Sequence, residues 1–214
     1  MPDLLPTASL SERRLSQILT RAELDRVHQL WDEMAEFSPC EMDQAQLHLM
    51  LTLRDWIGAD NVRWHASVRI LHDRAAKDDP MYGWRLRATR VFLPRSPARM
   101  KLSAPYHRIQ KNFDVGMAVQ ALAAGAGVKF QVHLMRDGFI DFNAFRKTPY
   151  YKKHYTDLGI ADRMWICLPV SEDTESVIVL DRHAPARHFT KRQAAWAGAA
   201  SSPFPIFARN FQAR

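Results

Sequence analysis

Cysteine is almost missing from this chain: among 214 residues only Cys40 and Cys167 occur. Two thiols cannot make a disulfide framework or the paired-cysteine spacing of a zinc motif. Long apolar runs are missing too. The most apolar stretch, Val115 to Gly127, is short and broken by Gln120, well below the roughly 18 residues of a membrane span. The N-terminal residues include Asp3 and Pro6 and lack a basic start followed by an apolar core, so no secretory signal is read there. Eight Gly and twelve Pro are too few for a collagenous or low-complexity chain. These absences leave the expectation of a cytoplasmic protein with no membrane partner. Its 47% hydrophobic and 25% charged residues suit a globular domain long enough to bury a core.

Acid is absent from one continuous segment. Between Asp79 and Asp114 there is no Asp or Glu, while Arg85, Arg87, Arg90, Arg95, Arg99, Lys101, Arg108 and Lys111 supply eight positive charges. The whole chain carries +7, so this block accounts for the excess. Such a block suits an anion, a phosphate backbone or an acidic partner, and equally a solvated strand face and loop. Arg85, Arg87 and Arg90 are the candidates for anion contact.

The first third reads as helix. Ser9 with Glu12, and Thr20 with Glu23, have the spacing of a capping box, in which hydroxyl and carboxylate satisfy the free N–H groups of a first turn. Beyond Thr20, Leu24, Val27, Leu30, Trp31 and Met34 form one apolar stripe at three-to-four spacing. Ser38-Pro39-Cys40-Glu41 is another start signal, with Pro at the first helical position. The helix it opens carries Met42, Leu49, Met50, Leu53, Trp56 and Ile57 and stops at Gly58.

The period then changes to two. Val62, Trp64, Ala66, Val68 and Ile70 alternate with polar residues as a half-buried strand over 62–70. A second strand is read over 82–90, where Trp84, Leu86 and Ala88 alternate with Arg85, Arg87 and Thr89. Joined by a short polar loop, the two should pair antiparallel. After a Pro-rich loop, Tyr106 to Ala124 reads as helix with a break near Asn112 to Gly116. Gly125-Ala126-Gly127 closes that helix rather than opening one, which fits a helix end and not a nucleotide-binding loop. Val128, Phe130, Val132 and Leu134 mark a third strand over 128–135, turned at Arg136-Asp137-Gly138, with Phe139 to Phe142 as a short return strand. Thr148 to Gly159 reads as a short helix. The runs 164–170 and 177–180 are apolar at consecutive positions, so both faces of these strands should be covered. Thr190-Lys191-Arg192-Gln193 is a further capping box, opening a last helix through Trp196. The order implies one α+β domain: a central, mainly antiparallel sheet with N- and C-terminal helices packed on one face.

Motifs of known chemistry are few. There is no Walker-type loop, no Gly-x-Ser-x-Gly elbow and no His-Glu-x-x-His. Nine His are scattered singly, apart from His183 and His188 in one loop, and no metal or cofactor is expected. Cys167 lies inside an apolar strand, a poor setting for a nucleophile. No catalytic site is read, and the chain is not expected to be an enzyme. Aromatic residues on the strands, Trp64, Trp84, Phe130 and Trp165, suit either a core cluster or an aromatic-lined small-molecule pocket. Tyr106, His133 and Tyr150 are polar anchors available to such a pocket.

One stretch carries a family likeness. Tyr150-Tyr151-Lys152-Lys153-His154-Tyr155, Leu158-Gly159-Ile160-Ala161-Asp162-Arg163-Met164-Trp165, Pro169-Val170 and Glu172-Asp173-Thr174-Glu175-Ser176 come first. Asp181-Arg182, Phe189-Thr190 and residues 194–200 continue the pattern. Together they resemble the GAF-like N-terminal sensory domain of LuxR-type helix-turn-helix regulators. In that family a separate C-terminal helical domain binds DNA. Here residues 201–214 contain two prolines and no helical period, too little for two helices and a turn.

The resemblance therefore implies a sensory domain over 1–200, with helices in 9–58 and sheet and helices in 61–200. Residues 201–214 form an irregular tail in place of a DNA-binding domain. The expected function is a signal-sensing, small-molecule-binding domain of a LuxR-type transcriptional regulator, truncated before its helix-turn-helix. By itself such a chain makes no sequence-specific DNA contact. Expected partners are a small-molecule signal and a second copy of the chain, met through the N- or C-terminal helices. The alternative is a stand-alone GAF-like ligand-binding or dimerisation protein with no role in transcription; an enzyme or nucleic-acid binder using the basic block is a third reading. Ligands of GAF-like domains sit on the sheet face away from the terminal helices. Trp64, Trp84, Tyr106, Phe130, His133 and Trp165 are thus the lining candidates, with the helix from Tyr106 and the loop before Thr148 as a lid.

Overall fold

Capping boxes set the helix starts. In the computed structural model, which describes residues 18–70, 79–91 and 116–202, the Thr20 hydroxyl accepts from the Glu23 N–H and the Glu23 carboxylate from the Thr20 N–H, opening α1 at Arg21–Ala35. Ser38 and Glu41 make the same reciprocal contact before a single 3-10 turn, and α2 follows at Met42–Ile57. It stops where Gly58 takes the left-handed conformation, φ +64°, that favours glycine. The chain continues through β1 (Asn61–Arg69), β2 (Trp84–Val91), α3 (Met117–Gly125) and β3 (Gln131–Leu134). Short helices α4 (Phe142–Phe145) and α5 (Pro149–Tyr151) lead through a π-helical turn at Lys152–Thr156 into β4 (Ile160–Ser171) and β5 (Thr174–His183). The box of Thr190 with Gln193 opens α6 (Lys191–Ser201).

The five strands form one sheet in the order β2-β1-β5-β4-β3, antiparallel at every step. The fold is α+β, as the element order implies. On one face, Val62, Trp64 and Ala66 of β1 join Met164, Ile166 and Leu168 of β4 and Ile178 and Leu180 of β5. Val27 and Leu30 of α1, Leu49 and Leu53 of α2, and Ala197 and Ala200 of α6 cover them. This is the helix face. The far face carries Trp165, Cys167 and Val179 beneath Ala118 of α3 and Phe145, Tyr150 and Tyr155. Strands β4 and β5 are buried at consecutive positions, so the unbroken apolar runs are explained by two-sided cover.

Arg182 ties the layers at one end. Its guanidinium donates to the carbonyls of Ile57 (2.5 Å) and Gly58 (2.9 Å) at the end of α2, and to those of Arg187 (3.0 Å) and His188 (3.1 Å) ahead of α6. It lies 4.3 Å over the ring of Phe189. The last carbonyls of a helix have no partner within the helix, and here a strand side chain supplies one.

The structure departs from the sequence pattern in four places. Opposite Ala66 and Ser67, β2 places Ala88 and Leu86, so Arg87 is an extra residue with no partner. A bulge of this kind reverses the alternation: Trp84 and Leu86 lie on the far face, Ala88 and Arg90 on the helix face. Strand β3 begins only at Gln131, and Val128 is 77% exposed. Phe139 to Phe142 is no strand; its residues make the turn into α4. The expected helix over Thr148 to Gly159 is instead α5 and the π-helical turn. The start signal at Ser9, the residue Tyr106 with the proposed lid before Gly116, and the tail from Pro203 lie outside the described residues. No helix among the described residues is long and apolar enough to cross a membrane.

Candidate functional site

The five described pocket candidates, Trp64, Trp84, Phe130, His133 and Trp165, do not line one cavity, because the sheet divides them. Trp64 belongs to the helix-face core. Phe130 leans toward α6, where a Cβ built on Gly198 would sit 3.6 Å from its ring. Trp84, His133 and Trp165 are on the far face. His133 and Trp165 are directly opposed on β3 and β4, whereas Trp84 stands at the other edge, on β2 opposite Arg69. Periodicity alone could not sort them, since the bulge at Arg87 reverses the side on which Trp84 stands and the unbroken apolar run around Trp165 has no alternation to read.

Around Trp165 the far face builds an aromatic wall. The ring of Phe139 stacks on His133 (centroids 4.5 Å apart) and meets Trp165 edge-on at 5.4 Å. Burial holds the His133 imidazole below its ordinary pKa, with Lys129 adding to the effect and Asp137 opposing it. Its Nε2 lies 3.0 Å from Gln131 Oε1. Facing the strand, Tyr155 stacks on Tyr151 at 5.0 Å and meets Phe145 edge-on at 5.3 Å. Tyr155 lies in the π-helical turn that Tyr151 precedes. Such turns recur at functional sites.

Charged groups enter the same face. Asp181 is fully buried and accepts from two arginines: Arg163 Nε at 2.6 Å and Arg63 Nη2 at 2.8 Å. The Arg163 guanidinium also lies 4.4 Å over the Tyr155 ring and 6.0 Å over Trp165. Nearer the β4–β5 hairpin, Glu175 is 3% exposed and accepts from the Gly127 N–H. Cys167 lies on the same face, and burial with the neighbouring Glu175 pushes its thiol well above the ordinary range, so it is held as a neutral thiol.

The arginines chosen as anion contacts are committed elsewhere. Arg85 pairs with Asp79 at 2.7 Å. Arg90 crosses to α2, reaching Asp43 at 2.7 Å and Gln46 at 2.9 Å. Arg87, at the bulge, is exposed. The three therefore do not converge on one anion. An open groove of about 530 Å³ lies elsewhere, beside Gly58, Arg182, Arg187, His188 and Gln193, and of its two arginines Arg182 is engaged by the four carbonyls above. Among the described residues no three His, Cys, Asp or Glu side chains gather as metal ligands.

Arg163, Glu175 and Asp181 carry part of the family likeness, yet none is among the site residues the sequence points to. The signal available in the sequence is a charged residue at the margin of an unbroken apolar run, Arg163 before 164–170 and Glu175 and Asp181 on either side of 177–180.

No family model matches the chain, and no curated protein matches it. Solved structures do. The photoproduct state of GAF3 from Slr1393 of Synechocystis sp. PCC6803 is similar with TM-score 0.41 and 14% identity, over 80% of this chain and 99% of that one. The LBD domain of VqsR from Pseudomonas aeruginosa is similar with TM-score 0.44 and 12% identity, over 91% of this chain and 99% of that one.

Proposed function

We propose that this chain is a GAF-like sensory domain of a LuxR-type transcriptional regulator, binding a small-molecule signal on the far face of its sheet. The reading is one of sensing, not catalysis, and the chain by itself makes no sequence-specific DNA contact. It rests on the family likeness of residues 150–200 and on one structural observation. One region of the far face brings rings and buried charge together, with His133, Phe139 and Trp165 beside Arg163 and Asp181, whereas the helix-face core around Trp64 is mostly aliphatic and is covered by three regular helices. Small-molecule sites combine an apolar, aromatic wall with a few fixed polar groups.

The test is a small-molecule screen read by thermal shift, followed by titration of the hits. A ligand of the far face should raise the melting temperature of the native protein and of Trp56→Leu, whose ring stacks on Trp196 at the terminal helices. Its affinity should fall about tenfold or more in His133→Ala, a loss of roughly 1.4 kcal/mol. Hits that bind native protein and His133→Ala equally would overturn the assignment.

A further inference from the structure

The loop joining α3 to β3 is pinned to the sheet at one point. Gly127 has φ +75°, and a Cβ there would sit 2.5 Å from the Glu172 carbonyl oxygen and 3.0 Å from Trp84 Cζ2. The loop backbone thus lies flat against the β4–β5 hairpin and the edge tryptophan. Beneath it the Gly127 N–H donates to Glu175, while Glu175 Oε1 is buried with no hydrogen-bond partner. One carboxyl oxygen holds the loop, and the other pays the cost of a dry site.

We propose that residues 126–130 form a proton-dependent latch over the far face, closed on the neutral Glu175 carboxyl and released when that carboxyl loses its proton. The geometry supplies both states. Closed, the group is sealed under Gly127. Open, it meets water and needs no buried partner. Burial pushes the closed carboxyl from its ordinary 4.5 up to about 7, with the Gly127 N–H acting against it. Among the described residues, the charged or titratable groups on the faces packed around it are His65 and Arg69 of β1, Cys167 of β4, Glu172 and Asp173 of the hairpin and Lys129 of the loop itself. Arg69 is turned to Trp84, 5.9 Å over its ring.

The sign follows directly. The open state ionises with the ordinary carboxylate and the closed state about 2.5 units later, so rising pH favours opening. Between about pH 6 and pH 8 the opening equilibrium should grow about tenfold.

Hydrogen exchange measures this on the whole protein. Protection factors, already divided by the intrinsic exchange rate, should fall about tenfold over that range for amides 126–130 and stay level in α2. In Glu175→Gln, which keeps an acceptor for Gly127, they should be independent of pH. A level profile in native protein, or an unchanged slope in Glu175→Gln, would overturn the latch. A second readout covers failure of that variant to fold: thiol labelling of Cys167 in a Cys40→Ser background, corrected for thiolate fraction. It should show the same pH slope, and Gly127→Ala, whose Cβ meets Glu172, should abolish the slope with labelling fast throughout. Equal slopes in both proteins would also overturn it.

Discussion

Arg163 and Asp181 are directly opposed across the β4–β5 ladder and joined at two points, Nε to Oδ1 at 2.6 Å and Nη2 to Oδ2 at 3.2 Å. Asp181 also accepts from Arg63. Removing one member of a buried pair strands the charge of the other. Asp181→Ala should therefore cost about 3–5 kcal/mol in denaturant melts. A loss below about 1 kcal/mol would show that the arginines find water.

Trp165 is 3% exposed and Phe130 is 38% exposed. Truncating a buried ring loses its transfer free energy and leaves a cavity. Trp165→Ala should cost roughly 3–5 kcal/mol, and Phe130→Ala about 1 kcal/mol or less. The contrast matters more than either value, because the sequence pattern alone gives both rings the same standing. Equal losses would contradict the placement of β3.

Gly116 precedes α3, and a Cβ there would run into the ring of Tyr150. Gly116→Ala should destabilise by about 1–3 kcal/mol. Gly138, whose surroundings are open, is the wrong control because its φ is +94°. A better one is Ala144→Gly on the exposed side of α4, expected at about 1 kcal/mol. Circular-dichroism melts of the two variants decide whether the packing of Gly116 on Tyr150 is as close as the geometry requires.

Glu175 predicts an inverted pH dependence of global stability. Its carboxyl titrates near 4.5 when unfolded and about 7 when folded, so the unfolded chain releases its proton first. The contribution is fully present below about pH 4.5 and is lost as pH rises toward 7. At pH 8 the penalty should reach at most about 3 kcal/mol, the value for a loop that stays closed and smaller as opening of 126–130 hydrates the charge, and Glu175→Gln should recover most of it. At pH 5 the variant should gain little. Urea melts at the two pH values test this, and an equal gain at both would mean that burial, not ionisation, sets the effect.

Much of the fold was legible because its signals are local. The reciprocal pairs Thr20 with Glu23 and Thr190 with Gln193 are visible as spacing and recur as hydrogen bonds. Consecutive apolar residues in 164–170 announced two-sided burial. The far face was less legible. Which side of the sheet Trp84 occupies depends on a bulge at Arg87, and a bulge leaves no periodic trace. By composition Thr174 and Glu175 belong to a polar turn, yet β5 begins at Thr174, since only the turn residues Glu172 and Asp173 are needed to reverse the chain. A carboxylate beside a turn looks solvated until the loop that covers it, some 45 residues earlier, is known.

Two rungs of the β4–β5 ladder carry opposite charges side by side: Arg163 against Asp181, and Asp162 against Arg182. The first pair lies on the far face and the second on the helix face. Over the next four rungs, from Met164 against Leu180 to Cys167 against Val177, both strands are apolar on both faces, so along that stretch hydrophobicity cannot tell one alignment from an alignment slipped by a single residue. A slip here would set Arg163 against Arg182 or Asp162 against Asp181, and would pull Arg182 away from the end of α2. The charges thus act as the index mark of a sheet whose oily strands would otherwise slide.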